Sequence, residues 1–272
     1  MGRISRSFQL VGQSYRVLMQ DKELMILPLI SGTVIVAIAV SFFFGFSIDP
    51  QRFESHSRDW QTWLPVFLFY VATYAVGIFF QAAVIAGATE RMRGGDPTLG
   101  SALSAAFSRV GSILLWAVVA ATVGTLLRML RDRAGFVGRI IVSIVGAAWS
   151  LATFFVVPVL VLEGVGVQEG IPRSLELFKK TWGETFVGGV NLGVAALVGW
   201  VTLIALVGLT AWAGLGILAL VIGVVGAVSL MIFFSALQGV FVASLYQYAS
   251  GGQAAPGFDR DALAQAFVPK RR

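Results

Sequence analysis

EGVGVQEGIPRSLELFKKTWGETFVGGVNLG, residues Glu163 to Gly193, joins the end of one long apolar segment to the start of the next. Within it Ile171, Leu175, Phe178 and Trp182 recur at spacings of three and four, one stripe of a helix. Arg173, Glu176, Lys179 and Lys180 take the other faces. Such a helix is too charged to cross a bilayer and suits lying in the interface, apolar side down, with Phe178 and Trp182 as anchors. The apolar segments on either side then read as membrane spans.

Composition points the same way. Of 272 residues, 57% are hydrophobic and 12% charged, and mean hydropathy is +0.84; a soluble domain carries about 25% charged residues. The fold class expected is all-α, a polytopic membrane protein. With no cysteine, disulfides and thiolate metal sites are excluded, and the single histidine, His56, sits in a polar loop. Basic residues flank apolar spans instead of forming a free basic domain, so the net charge of +6 reflects membrane orientation and not nucleic acid.

Six spans are expected, near residues 24–46, 64–89, 112–127, 140–162, 186–210 and 215–246. Pro158 marks a kink near the end of the fourth. Before the first span, Ile4, Phe8, Val11, Tyr15 and Leu18 form a stripe opposite Arg6, Gln9, Gln13, Arg16 and Gln20, a first interfacial helix. A cleavable leader is not expected, because Asp21 and Glu23 interrupt the approach to the apolar run. Asp96-Pro97 reads as a helix start, with Asp96 as cap; Leu99, Leu103, Phe107 and Val110 follow as another apolar stripe. With both ends inside, fourteen of the 20 Lys and Arg residues fall in inner segments and six in outer ones. That places the chain in a cytoplasmic membrane with both termini cytoplasmic. Arg128, Arg131, Arg133 and Arg139, in the outer connection between spans three and four, go against the rule.

The inner ends of the even-numbered spans resemble one another. FFQAAVIAGATE ends at Glu90, FFVVPVLVLE at Glu163 and SALQGVFVASLYQ at Gln247, with Gln81 and Gln238 each nine residues before their ends. Glycines follow each, then a short helix with a phenylalanine: Phe107, Phe178 or Phe267. The expected organisation is three hairpin repeats, about 1–89, 90–162 and 163–248, each introduced by an amphipathic helix. A tail over 249–272 carries one more such helix, with Asp259 as its cap. Similar apolar composition alone would give a weaker version of the same match.

The stretches RSFQLVGQSYRVLMQDKELMILPLISG (residues 6–32) and AAWSLATFFVVPVLVLEGVGVQEGIPRSLELFKKTWGETFVG (147–188) resemble an uncharacterised prokaryotic six-span membrane family, a domain of unknown function. The chain is more distantly similar to the membrane domain attached to some glycerophosphodiester phosphodiesterases. The first resemblance implies a six-span fold and no particular activity. The catalytic domain of the second has no counterpart here.

No ionisable residue falls near the middle of a span, where pumps and proton relays place them. Glu90 and Glu163, at inner helix ends, either cap the next helix and meet a neighbouring cation or act as a gate. Gln81, Asn191 and Gln238 have a claim to similar depth. They either hydrogen-bond between helices, at on the order of 1 kcal/mol each, or line a polar path. Gly189-x-x-x-Gly193 has the spacing for close helix approach. The four outer arginines lie on a connection expected to be helical, which either holds phospholipid phosphate or Asp49, Glu54 and Asp59 of the first outer loop, or is a solvated helical extension. With no Ser/His/Asp set, metal cluster or phosphate loop, no cofactor and no enzyme are expected. The expectation is a non-catalytic scaffold or accessory subunit that engages membrane lipids, other membrane proteins or further copies of itself. The alternative is a passive transporter or channel for a small solute.

Overall fold

The polar backbone of an apolar run has no water to bond in lipid, so each long run closes its hydrogen bonds within a helix. The computed structural model describes residues 3–45, 60–182, 192–251 and, in the tail, 254–256, 258 and 263; every regular element among them is helical. In chain order these are α1 (Arg3–Gln20), a 3₁₀ turn (Lys22–Met25), α2 (Ile26–Gly45), α3 (Trp60–Met92), α4 (Leu99–Phe107), α5 (Val110–Arg133) and α6 (Phe136–Ala152). Then follow α7 (Val156–Pro158), continued by a π-helical turn (Val159–Glu163), α8 (Val167–Trp182), α9 (Leu192–Trp212) and α10 (Gly216–Gly251). Six helical runs are long and apolar enough to cross a membrane, and the chain is a multi-pass membrane protein by that measure.

Helices α3 and α10 form the centre. α2, α4 and α5 pack on α3, while α9 and α1 pack on α10. The core gathers at the end of the bundle where α3 finishes, at Met92. Ala82, Ala83, Ile85 and Ala88 of α3, Phe155, Val156, Val159 and Leu160 around α7, and Ala236, Leu237, Val240, Ala243 and Leu245 of α10 are all fully buried there. Leu18 of α1, Leu177 of α8 and Leu263 of the tail close over them. At the other end the helices part. Phe43 and Phe44 of α2, Ile140, Ile141 and Ile144 of α6, Ile204 and Leu209 of α9, and Ile217 and Leu220 of α10 are exposed.

Four boundaries and faces differ from the sequence reading. The third span continues to Arg133, leaving only Ala134 and Gly135 before α6, so Arg128, Arg131 and Arg133 extend the span helix itself. Cations at a helix C-terminus complement its dipole and favour the extra turns. The fourth span breaks at Thr153–Phe155, ahead of Pro158. Proline lacks the N–H that would bond the carbonyl of Phe154, and its ring crowds that carbonyl. On α1, Gln13, Ser14, Val17 and Leu18 are buried while Tyr15 is exposed beside Phe233. The helix turns the face of Gln13, Ser14, Val17 and Leu18 into the bundle, where α10 is its main neighbour, instead of laying its ring face down. Finally, Thr98 caps α4: its side chain accepts from the Ser101 N–H at 3.0 Å, and Ser101 Oγ accepts from the Thr98 N–H at 3.0 Å. Asp96 is not the cap because it is drawn to Arg91.

The break before Pro158 also explains α8. The N–H of Phe155, freed by the break, donates to Ser174 Oγ at 2.9 Å, and both residues are fully buried. Gly170, one turn earlier on α8, admits Leu160: a Cβ there would meet Leu160 Cδ2 at 3.1 Å. Ser174→Ala removes the acceptor of a buried backbone donor and should lower stability by about 1–3 kcal/mol. Thermal unfolding of the purified protein in one detergent checks this; Ser174→Ala with an unaltered midpoint would show that water replaces the hydroxyl.

Candidate functional site

Gln81 and Gln238 come together. With Tyr74, Gly77, Ile78 and Ser235 they line a cavity of about 240 Å³ between α3 and α10. The interhelical hydrogen bond expected of them is not formed among the described residues, and both amides are left to the cavity. Gln81 lies eleven residues from Met92 and seventeen from Leu64, the ends of its span, so about 16 and 25 Å from them at 1.5 Å per residue. Gln238 sits comparably far inside α10. The pair is therefore deep in the spans. Gly239, next to Gln238, makes the close approach possible, since a Cβ there would lie 2.4 Å from Val84 Cγ1.

The stripe continues along α3. Tyr70 lies one turn beyond Tyr74, and its hydroxyl accepts from Arg128 Nη1 of α5 at 3.2 Å. A Cβ on Gly124 of α5 would lie 3.8 Å from the Tyr74 hydroxyl. α3 thus forms the floor of a groove with α5 and α10 as its walls. Arg131 and Arg133 are exposed, and Arg139 Nε donates to the Ala134 carbonyl at 3.2 Å. Asp49, Glu54 and Asp59, the acidic candidates for these arginines, lie outside the described residues, as do Asn191, Gly189, His56, Asp259, Phe267 and the side chain of Trp182.

At the Met92 end the carboxylates are engaged. Glu90 Oε2 accepts from Ser101 Oγ at 3.0 Å, which ties it to the cap of α4. Glu163 Oε2 meets Arg173 Nε at 3.1 Å, and Glu163 Oε1 accepts from the Tyr246 hydroxyl at 2.9 Å. Arg173 Nη1 also donates to Glu176 at 3.0 Å. Glu176 and then Glu163 push the guanidinium pKa above the ordinary arginine value, so Arg173 stays charged. Gly94 and Gly164, which follow the two carboxylates, are left-handed (φ 86° and 75°), a conformation that favours glycine.

Sequence reasoning missed the strongest pair here. Arg91 grips Asp21 through Nε and Nη2, and its Nη2 also meets Asp96 at 2.5 Å. Asp21 is buried in the turn between α1 and α2, so this bridge ties the start of the chain to the end of α3. Opposite charges at two span ends were the available signal, but nothing in their spacing paired them. Beside the bridge, Gln13, Arg16, Val17, Gln20, Arg91, Met92 and Pro256 line a cleft of about 250 Å³. Phe107 is exposed and packs its ring 4.7 Å from Phe79, at an apolar cavity of about 180 Å³ shared with Phe80, Val110, Ile113 and Leu114. Phe178 is buried against the core. Among the described residues no group of three or more His, Cys, Asp or Glu is placed to hold a metal ion.

No curated protein and no solved structure matches the chain, so the distant likeness to the membrane domain of glycerophosphodiester phosphodiesterases has no support. A family model described as "Family of unknown function (DUF6159)" matches residues 61–257, from the foot of α3 through the cavity, both carboxylate networks and α10 into the tail. The chain belongs to this family of unknown function.

Proposed function

We propose that the chain is a non-catalytic membrane scaffold or accessory subunit that engages lipids or other membrane proteins. One observation carries this reading: the core gathers mainly at the Met92 end, while elsewhere the helices part and leave apolar faces to the membrane. An apolar cavity beside Phe107 and a polar one beside Gln81 open between the separated helices, where lipid can enter. The order of elements supports three repeats. A short helix precedes a pair of spans in α1–α2–α3, in α4–α5–α6/α7 and in α8–α9–α10. On α8, Gln168, Glu169, Glu176, Lys179 and Lys180 are exposed while Val167, Ser174, Leu177 and Phe178 are buried, as suits an interfacial helix. Its ring stripe meets protein before it meets lipid.

The charge split supports a prokaryotic cytoplasmic membrane with both termini and α8 inside. Because the chain has no cysteine, single cysteines report topology directly. An impermeant thiol reagent applied to intact cells should label Arg131→Cys and not Lys180→Cys. Labelling of Lys180→Cys would invert the topology.

Lipid engagement is tested by native mass spectrometry of the purified chain in detergent. Phospholipid should be retained, with anionic preferred over zwitterionic. Combining Arg131→Ala and Arg133→Ala should reduce that preference severalfold, since each exposed guanidinium can donate two parallel hydrogen bonds to phosphate. A folded protein that retains no lipid would end this reading. A second reading, a passive path for a small solute, rests on the two unbonded amides at Gln81 and Gln238. Saturable solute flux in proteoliposomes, abolished by Gln81→Leu at normal stability, would favour it.

A further inference from the structure

The chemistry of the Gln81 cavity selects among lipids. Two primary amides and two hydroxyls face it, from Gln81, Gln238, Tyr74 and Ser235. Each is both a donor and an acceptor, so their best partner is a group that is also both. None of them is charged near neutral pH, and Arg128, the cation on the same groove, meets Tyr70, eleven residues along α3 from Gln81. From the two amides that separation is about 16 Å along the helix, so a phosphate held at Arg128 stays near Tyr74, one turn from Tyr70, and leaves the amides of Gln81 and Gln238 to an uncharged group. Arg16, a cation in no ion pair among the described residues, lines the separate cleft beside the Arg91–Asp21 bridge and suits an anionic headgroup better.

Access follows from the packing. Tyr74, Ser235 and Gln238 are exposed, so the cavity opens on its flank. α5 and α10 both pack on α3 and not closely on each other, which leaves the flank open between them. Toward the Met92 end, Phe155 and Val156 are fully buried with the Tyr246 ring 6.1 Å from that of Phe155, and these side chains fill the space among α3, α8 and α10. The ligand therefore arrives from the side, within the hydrocarbon. A charged group is costly at that depth, whereas an uncharged hydroxyl is tolerated once its hydrogen bonds are met.

We propose that this cavity binds the glyceryl hydroxyl and ester groups of an uncharged lipid of the diacylglycerol class, with the acyl chains lying in the groove between α5 and α10. The volume of about 240 Å³ equals the share of roughly eight waters, enough for a glyceryl group and the first carbons of its chains. The assignment rests on the lipid-engaging reading above and narrows it to one site and one chemical class.

Native mass spectrometry of the full chain tests it, with a diacylglycerol and a phosphatidylglycerol of the same chains added in turn. The wild type should retain the diacylglycerol. Gln81→Leu combined with Gln238→Leu should weaken that retention about tenfold, the loss of one to two hydrogen bonds, and leave phosphatidylglycerol retention unchanged. Should the double variant not fold, Tyr74→Phe and Ser235→Ala each remove one hydroxyl at an exposed position and should weaken diacylglycerol severalfold. Equal diacylglycerol retention by wild type and folded variants overturns the site and leaves the lipid-engaging reading standing. Loss of both lipids together in the variants overturns the selection for an uncharged headgroup. A wild type that retains neither lipid overturns both readings. Glycerol uptake by proteoliposomes that the same variants abolish assigns the cavity to a soluble polyol and overturns the lipid.

Discussion

Replacing Arg91 with methionine should cost the protein about 2–3 kcal/mol, short of the roughly 3–5 kcal/mol of a fully buried pair because the Arg91 side chain is 24% exposed beside an open cleft. The reason lies with Asp21, whose side chain is only 8% exposed and is gripped by two guanidinium nitrogens. Without Arg91 that carboxylate loses both of the hydrogen bonds that compensate its burial. The bridge also joins α1 and the start of α2 to the end of α3, so its loss should loosen the entry of the chain as well as one side chain. Two controls separate the pair from the charge. Asp21→Leu combined with Arg91→Met should recover most of the loss, because no charge is then buried. Asp96→Asn should change little, because the Asp96 side chain is 91% exposed and an exposed pair is screened. Thermal unfolding in a single detergent gives all three values. If Arg91→Met and Asp96→Asn prove equally mild, the bridge holds nothing together.

The six spans and the charged ends between them were legible because lipid imposes length and polarity one residue at a time. Contacts between helices carry no such periodic mark. Asp21 and Arg91 are 70 residues apart, and each taken alone reads as a solvated end charge. Rotation about a helix axis was equally hidden: on α1 the ring stripe of Val11, Tyr15 and Leu18 was visible, but burial follows Gln13, Ser14, Val17 and Leu18, on a helix that packs mainly on α10. On α8 the same shift puts Gly170 and Ser174 in the core. The site was half legible. Gln81 and Gln238 could be matched by their distance from the span ends, whereas Tyr74, Ser235 and the groove wall at Gly124 came only from the packing of α3, α5 and α10. Asp49, Glu54 and Asp59 lie outside the described residues.

The central helix pair makes the other large prediction. Gly239→Ala should destabilise by about 1–3 kcal/mol, as overpacking of a filled core does. A methyl group there would lie 2.4 Å from Val84 Cγ1 and 3.1 Å from Val84 Cβ, so α3 and α10 must separate or Val84 must leave its rotamer. These two helices carry the core residues on both sides and the walls of the Gln81 cavity, so separation also alters the site. Val84→Ala added to Gly239→Ala removes the nearer atom and leaves the 3.1 Å approach, which a shift of a few tenths of an ångström relieves. The double variant should therefore recover part of the loss and not all of it. Gly208→Ala on α9 supplies the opposite sign, because nothing lies within 4 Å of a Cβ there and alanine is the better helix former by about 1 kcal/mol. Its unfolding midpoint should hold or rise. A Gly239→Ala protein that unfolds at the same temperature as Gly208→Ala would mean that α3 and α10 are not in close contact at Val84, and the cavity built on their approach would fall with it.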